Sequence, residues 1–270
     1  MIEESLYMVP MELSVLIPTY NEADIILIAL KEIEMALGSK LSSQTEILIM
    51  DDGTDTLDNL VRENASNFLF GSVQVYRNNP KLGKGKSLAL GFQKAQGEIV
   101  GFLDADLSTP PRYIHQATQL IKSGQADIFI ASRRAKGSVV NRQQSMMKDI
   151  LGHLLGVVAG KIIFYGMRNY RDTQCGFKFY KNAAAKLLYK DLVAPDGLND
   201  IEVLIRANLM DYSVFEQGVE WTDLRESKRS LRRILWGEIV AISHILVKYK
   251  LFASKRRQWL HNMADKLTIL

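Results

Sequence analysis

Cysteine, histidine and proline are scarce in this sequence of 270 residues. The single cysteine, Cys175, excludes an intrachain disulfide framework and fits a reducing compartment. One cysteine and four histidines also argue against a structural zinc site. With 6 prolines, 18 glycines and 47% hydrophobic residues, the composition excludes collagen-like, low-complexity and wholly disordered proteins.

A clean membrane span is missing as well. Residues 150–167 are long enough but include His153 and Lys161, and residues 234–247 are too short, because a span needs about 20 mostly apolar residues. Both segments could instead lie in the membrane interface, and the alternative for the first is an internal packing helix. Residues 1–10 are acidic and lack the pattern of a signal peptide, so we expect none.

Positive charge is concentrated near the end of the chain. The net charge is only +4, but residues 225–257 contain ten Lys or Arg against two Glu, so the rest of the chain is acidic. A basic segment of this kind indicates a polyanion or an anionic membrane surface as partner, although a solvated basic helix has the same composition. A nucleic-acid partner is not expected, because the sequence has no nucleic-acid-binding motif.

Apolar runs alternate with amphipathic segments, which predicts βαβ units and an α/β fold with a mainly parallel sheet. The predicted strands are residues 13–18, 46–50, 73–76, 99–103 and 127–131, and the predicted helices are residues 22–37, 55–68, 87–95 and 112–122. The second half is less regular, with predicted helices at 150–166 and 200–209, a strand at 176–180 and a basic amphipathic C-terminus.

Three of the predicted strands end in polar residues: 18–22, 51–54 and 104–106. Ligands of open parallel sheets bind beyond the carboxyl ends of the strands, so we expect these segments to share one edge. Asp104 and Asp106 offer oxygen ligands that suit Mg²⁺ or Mn²⁺, and these cations are often shared with substrate phosphates. The alternative for this pair is a solvated helix N-terminus.

Two basic segments could bind phosphate near the same edge. Residues 82–86 form a glycine-rich basic loop before a helix, although the spacing is not that of a P-loop. A second group of cations follows the fifth strand and could clamp phosphate oxygens, or could be a solvated loop: Arg133, Arg134, Lys136, Arg142 and Lys148. Cys175 is interpreted as a packing residue rather than a nucleophile.

Taken together, the motifs resemble those of the inverting family 2 glycosyltransferases, which have a nucleotide-sugar-binding GT-A fold. The resemblance covers residues 13–228 and rests on the segments IPTYNE (17–22), DDGT (51–54), GKGKSLALGF (83–92), DADL (104–107), ASRR (131–134), DTQCGFK (172–178) and WTDLRESK (221–228). The last two are similar to elements of the dolichyl-phosphate sugar synthases, the final one to the β-glucosyltransferase branch. Thr222 stands where mannose synthases carry an arginine, which favours glucose.

The resemblance implies a role for each matching residue. Contacts with the nucleoside are implied for Pro18, Tyr20, Glu22 and Asp52. A metal site with the diphosphate is implied for Asp104, Asp106 and Ser108, although mannose synthases usually have Gln at the third position. Asp104, Asp106, Arg133 and Arg142 are the implied catalytic residues, with Arg142 at the acceptor phosphate. Further substrate-binding residues are implied at Lys84, Ala105, Asp200, Glu202 and Lys228.

The implied reaction is inverting transfer of a sugar from a nucleotide sugar to a polyprenyl or dolichyl phosphate. UDP-glucose is the favoured donor and GDP-mannose the second, with Mg²⁺ or Mn²⁺ as cofactor. A phosphate acceptor is already an anionic nucleophile and needs no strong base, whereas a glycan hydroxyl, the alternative acceptor, would need a carboxylate such as Asp200 or Glu202. A nucleotide-sugar-binding scaffold without catalysis is a further alternative.

The basic C-terminus fits a lipid acceptor, because cations near anionic lipid each contribute about 1 kcal/mol. We therefore expect a GT-A domain over residues 11–228 and a basic amphipathic extension over 229–270. The chain is expected to bind the cytoplasmic face of a membrane peripherally, through residues 150–166 and 231–257.

Overall fold

A computed structural model describes residues 11–141, 170–194, 198–222, 243–245 and 248–249. Within these ranges, no helix combines the length and the apolar character that crossing a membrane requires. The apolar segment 150–166 and nearly all of the basic segment 225–257 lie outside the described residues. Their predicted place in the membrane interface, and the division of the chain at residue 228, remain predictions.

The described chain folds into strands that alternate with helices. The strands are β1 (Leu13–Thr19), β2 (Thr45–Asp51), β3 (Ser72–Arg77), β4 (Ile99–Leu103), β5 (Ile128–Ser132), β6 (Val139–Asn141), β7 (Phe177–Lys181), β8 (Val214–Gly218) and β9 (Glu220–Thr222). The helices are α1 (Ile26–Ser42), α2 (Leu57–Asn64), α3 (Lys84–Lys94), α4 (Tyr113–Lys122), α5 (Asn182–Leu188) and α6 (Asn199–Leu209), with a 3₁₀ turn at Ala65–Asn67.

Seven strands form one sheet in the order β3-β2-β1-β4-β7-β5-β8. All neighbouring pairs are parallel except the two made by β7, which runs antiparallel to both β4 and β5. Strands β1, β2, β4 and β5 therefore share a direction, and their carboxyl ends lie at one edge of the sheet. The prediction of a mainly parallel α/β sheet is confirmed, and β6 and β9 add a small parallel pair outside it.

The apolar side chains of the strands alternate between the two faces of the sheet, because successive residues of a strand point to opposite sides. One face packs with α3, α5 and α6 and includes Leu16, Phe92, Phe102, Tyr180 and Leu204. The other packs with α1, α2 and α4 and includes Ile17, Ile33, Ile114, Phe129 and Phe177. Coverage on both faces explains why the central strands are almost continuously apolar.

Two helix starts differ from the sequence prediction by three residues or more. α1 begins at Ile26 rather than at residue 22, since the carbonyl of Glu22 accepts hydrogen bonds from the N–H groups of Ile25 and Ile26 in a preceding turn. α3 begins at Lys84, before the predicted start at residue 87. Its N-cap is Gly83, whose φ of 86° favours glycine.

The described part of the C-terminal region contacts the body of the protein. Ile245 and Tyr249 are buried in the same core cluster as the helices α3, α5 and α6. The carboxylate of Glu202 in α6 accepts hydrogen bonds from the Tyr249 hydroxyl (2.8 Å) and the Lys248 ammonium (3.3 Å). These contacts fix residues 248–249 against α6.

Candidate active site

The polar segments that follow β1 and β2 meet at the carboxyl edge of the sheet. The N–H of Asp52 donates to the carbonyl of Thr19 (3.0 Å), and the N–H of Thr54 donates to Oδ1 of Asn21 (2.8 Å). Thr19 also donates to the carboxylate of Asp51 (3.0 Å). The two motifs are therefore joined directly, as expected from strands that run in the same direction.

Tyr20 presents an open aromatic surface beside this junction. Its side chain is 54% exposed, and the ammonium of Lys81 lies 3.5 Å from the centre of its ring. An exposed ring next to polar loops can stack on a nucleobase. Pro18 is partly buried at the end of β1, and Glu22 starts the turn before α1. The nucleoside contacts implied for these residues remain predictions.

Asp52 also holds the glycine-rich loop, residues 82–86, in place. Its buried carboxylate accepts hydrogen bonds from the N–H groups of Leu82 (3.1 Å) and Gly83 (2.7 Å). It also accepts from the side chains of Asn78 (2.9 Å) and Ser87 (3.1 Å). Four donors on one carboxylate fix the loop and the start of α3, and with them the position of Lys84.

Lys84 reaches back from the first turn of α3 to the end of β4. Its ammonium lies 2.5 Å from Oδ1 of Asp104, and the two side chains are 33% and 40% exposed. We call this contact the open pair. Burial by itself would lower the pKa of Lys84, but the negative charges of Asp104, Asp200 and Asp106 raise that pKa above its ordinary value. Four predicted residues from three separate motifs are thus brought together.

A second ammonium–carboxylate contact lies behind the first. The ammonium of Lys178 in β7 donates to Oδ1 of Asp200 (2.8 Å) and to the carbonyl of Cys175 (2.7 Å). The side chains of Lys178 and Asp200 are 0% and 10% exposed, and we call this contact the closed pair. The two pairs share one aromatic neighbour, because both lysine ammonium groups lie 5.3 Å from the centre of the Phe102 ring.

Asp106 and Ser108 form a tight turn after Asp104. Oδ1 of Asp106 accepts the N–H of Ser108 (3.0 Å), and Leu107 between them has a φ of 52°. The carbonyl of Ser108 accepts the N–H of Thr222 (2.9 Å), which ties this turn to β9. Ala105 is buried under the turn. The arrangement leaves Asp104 and Asp106 partly exposed at the edge of the sheet.

The donor set of this turn fits a divalent cation of the Mg²⁺ or Mn²⁺ type. Such ions prefer carboxylate oxygens and are commonly held by one or two carboxylates together with substrate phosphates. Gly176 packs against Asp104 so closely that a Cβ there would overlap its carboxylate, so the site depends on glycine at this position. Among the described residues, no group of three or more Asp, Glu, His or Cys could complete a cation site without substrate.

Arg133 is fixed by two neighbours. Its guanidinium binds both carboxylate oxygens of Asp172 (2.6 and 2.9 Å), and its centre lies 5.4 Å from the Trp221 ring. We call the contact between Arg133 and Asp172 the forked pair. Burial alone would raise the pKa of Asp172, but the Arg133 guanidinium holds it well below its usual range. The predicted catalytic arginine is thus held rigidly at the carboxyl end of β5.

The remaining predicted residues lie away from this cluster or outside the described ranges. Glu202 is fully buried and accepts hydrogen bonds from the N–H groups of Val193 (2.8 Å) and Ala194 (2.7 Å), besides those from Lys248 and Tyr249. Its carboxylate therefore joins helix and loop, and its implied substrate contact stays a prediction. Arg142 and Lys228 are outside the described residues.

Cys175 has the environment of a packing residue, as predicted from the sequence. Its thiol is buried, and burial raises the pKa of Cys175 to about 11. The thiolate that a nucleophile requires is therefore scarce at neutral pH.

Three residues of the site received no role from the sequence: Asp172, Lys178 and Trp221. A signal existed for Lys178, because it is a charged residue inside the apolar strand FKFYK. A charge in a strand that is covered on both faces needs a partner, and this partner is Asp200. Asp172 and Trp221 carried no comparable signal, since both lie in loops or short strands whose neighbours are distant in sequence.

The protein family described as Glycosyl transferase family 2 matches residues 14–187 of the chain. The chain is 28% identical over 232 residues to glycosyltransferase AglD of Haloferax volcanii, covering 84% of this chain and 35% of that protein. It is 28% identical over 234 residues to the dolichyl-phosphate beta-glucosyltransferase of Saccharomyces cerevisiae (81% and 69% covered). It is 32% identical over 169 residues to the dolichol-phosphate mannosyltransferase of Pyrococcus furiosus (62% and 45% covered).

The fold is similar to that of a mannosyltransferase from Pyrobaculum calidifontis, PcManGT, solved in complex with GDP-Man and Mn²⁺. The TM-score is 0.59 at 20% identity, and the match covers 88% of this chain and 64% of that one. The likeness confirms the predicted GT-A fold. The chain spans about a third of the length of AglD and about two thirds of that of the yeast protein.

Proposed function

Because the chain belongs to glycosyl transferase family 2, we propose that it moves a hexose from a nucleotide sugar to a polyprenyl phosphate of the dolichyl type, with inversion at the sugar carbon. The observation that carries the proposal is the meeting of Lys84, Asp104, Asp106 and Asp200 at one edge of the sheet. This edge offers two carboxylates for a cation and an ammonium for phosphate, which are the groups that a nucleoside diphosphate requires.

The chain's own residues would divide the work as follows. Tyr20 would support the base, and Asp52 would keep the glycine-rich loop in place so that Lys84 faces the diphosphate. Asp104 and Asp106 would hold Mg²⁺ or Mn²⁺, which supplies positive charge to the leaving diphosphate when bound. Arg133, held by Asp172, would contribute its guanidinium at the carboxyl end of β5.

The state of Asp200 favours a phosphate acceptor over a hydroxyl acceptor. A hydroxyl must lose a proton to a base, whereas a phosphate is already anionic. The two carboxylates that a hydroxyl acceptor could use are both engaged: Asp200 by the ammonium of Lys178 at 2.8 Å, and Glu202 by the N–H groups of Val193 and Ala194. A phosphate acceptor needs positive charge rather than a base, and the predicted acceptor residue Arg142 would supply it.

Glucose from UDP-glucose is the favoured sugar, with Thr222 in place of the arginine of mannose synthases and the yeast glucosyltransferase among the relatives. Mannose from GDP-mannose is the second candidate, supported by the likeness to the Pyrococcus mannosyltransferase. We propose peripheral binding at the cytoplasmic face of a membrane, where the basic residues of segment 225–257 other than Lys248, which binds Glu202, would meet anionic lipid.

The deciding experiment offers the purified chain radiolabelled UDP-glucose or GDP-mannose, with a polyprenyl phosphate in detergent and Mg²⁺ or Mn²⁺. Label from UDP-glucose should move into the organic phase. Asp104→Asn should stop the transfer, while Asp58→Asn, a change at a surface ion pair of α2, should not. In a parallel reaction with a soluble glycan, label in the glycan would show a hydroxyl acceptor, and nucleotide binding without transfer to either acceptor would show a scaffold.

Membrane binding has its own test. The chain should sediment with anionic liposomes at low salt and dissociate as the salt concentration rises, because screening weakens contacts between the basic residues and the lipid. Equal binding to neutral and anionic liposomes, or none to either, would contradict the proposal.

A further inference from the structure

The open pair occupies one of the carboxylate oxygens that a divalent cation would use, Oδ1 of Asp104. The ammonium of Lys84 lies 2.5 Å from Oδ1 of Asp104, so one oxygen of this carboxylate already has a positive partner. The other oxygen faces the Cα of Gly176 at close range. The ammonium also lies in the field of Asp106, the second carboxylate of the turn. A positive side chain therefore offsets part of the negative charge that would attract a divalent cation.

A divalent cation and the Lys84 ammonium cannot both bind the same carboxylate oxygen, since like charges at that range repel strongly. The cation therefore has to displace Lys84 from Asp104. A lysine side chain can make this move, because its charge sits on a flexible stem of four carbons. Both partners of the open pair are partly exposed, so the exchange takes place at the surface of the protein rather than in its core.

The displaced ammonium needs another anion, and a diphosphate bound to the cation brings one to the same place. Without the diphosphate, the displaced Lys84 lies beside a cation and has lost its contact with the carboxylate of Asp104, which is unfavourable. With the diphosphate, the ammonium of Lys84 exchanges a carboxylate oxygen for a phosphate oxygen, and both acceptors form charge-assisted hydrogen bonds. The cost of displacing Lys84 is therefore offset only when both ligands are present.

We propose that Lys84 serves as an internal counterion that stands in for the divalent cation at Asp104 and moves to the donor diphosphate when the cation binds. This inference rests on the proposed function for the identity of the donor. Its consequence is that the cation binds weakly by itself and that cation and diphosphate strengthen each other's binding.

The test measures protein-bound Mn²⁺ by equilibrium dialysis, with and without inorganic pyrophosphate at the same concentration on both sides of the membrane, because pyrophosphate itself binds Mn²⁺ in solution. Lys84→Met should bind Mn²⁺ alone about tenfold more tightly than the unaltered chain, equivalent to about 1.4 kcal/mol. Pyrophosphate should increase the Mn²⁺ affinity of the unaltered chain by at least about tenfold more than that of Lys84→Met. Lys94→Met, at the far end of α3, is the matched control and should behave like the unaltered chain.

Equal affinities of the unaltered chain and Lys84→Met for Mn²⁺ alone would overturn the inference, as would an equal effect of pyrophosphate on the two. Lys84→Gln repeats the measurement with a polar side chain of similar length, should the methionine variant fold poorly. Neither arm uses a sugar or an acceptor. A chain that transfers no sugar would thus contradict the proposed function while leaving the exchange of Lys84 measurable.

Discussion

The open pair and the closed pair are the same chemical contact in two environments. Each joins a lysine ammonium to an aspartate carboxylate, and each ammonium lies 5.3 Å from the centre of the same Phe102 ring. The closed pair is almost fully buried, whereas both partners of the open pair are a third or more exposed. Burial thus makes one contact permanent and leaves the other free to exchange its partners.

The largest effect is expected from breaking the closed pair. Lys178→Met leaves the buried carboxylate of Asp200 and the carbonyl of Cys175 without their donor. An uncompensated buried charge costs about 3–5 kcal/mol, so the free energy of unfolding in urea should fall by that amount.

The double variant Lys178→Met with Asp200→Leu tests the cause. It replaces both charges by apolar groups and should recover most of the stability lost in the single variant, because well-packed apolar residues can replace a buried ion pair. A double variant as unstable as the single one would show that the loss comes from packing rather than from the unpaired charge.

Replacing the carboxylate of the open pair should lower catalysis rather than stability. Asp104→Asn removes a charge from the cation site, and kcat for sugar transfer should fall about 100-fold or more. The free energy of unfolding should change by less than about 1 kcal/mol, because the pair is exposed. Comparable losses of stability in this variant and in Lys178→Met would contradict the distinction between the two pairs.

The forked pair adds a third contact to the comparison, one whose contribution to stability is expected to depend on pH. Since Arg133 holds the pKa of Asp172 below its ordinary value, the pair stabilises the fold above about pH 4 and loses this contribution as pH falls through the lowered pKa. At pH 7 the unaltered chain should be about 1.5–3 kcal/mol more stable than Asp172→Asn. Urea denaturation at decreasing pH should show this gap closing, and a constant gap would contradict the role of the charge.

The smallest effect is expected from breaking the open pair on its lysine side. Lys84→Met should change the free energy of unfolding by less than about 1 kcal/mol, since a surface ion pair contributes little and the side chain can still pack along Phe102. Thermal unfolding without ligands measures the change, with Lys94→Met as its reference. A loss as large as that of Lys178→Met would mean that the open pair also supports the fold.

Local sequence predicted the central strands well and the peripheral ones poorly. β4 was predicted with its correct limits because an apolar run between polar residues has few alternatives. β8 and the pair β6 and β9 were not predicted, since they are short, partly exposed and stabilised by distant partners. α5 was also missed, although its alanine run has high helix propensity.

The site, like the fold, has features that the sequence predicts and features that depend on contacts between distant segments. The ends of β1, β2 and β4 could be placed on one edge from the sequence, because parallel strands bring their carboxyl ends together. The four hydrogen bonds of Asp52 to residues 78–87 could not be predicted from the sequence, since they depend on how a loop returns across the sheet. The partner of Asp200 also required the structure, because Lys178 reaches it from a strand that enters the sheet late in the chain.

The position of β7 constrains the order in which the chain can be completed during synthesis. β5 has hydrogen-bonded neighbours only in β7 and β8 within the large sheet, although it precedes both in sequence. The first four strands are complete once residue 103 has left the ribosome, whereas β5 cannot join their sheet until residues 177–181 arrive, and until then β4 is an open edge of that sheet. A nascent chain halted between these points would expose that edge, where chaperones or neighbouring chains could bind it.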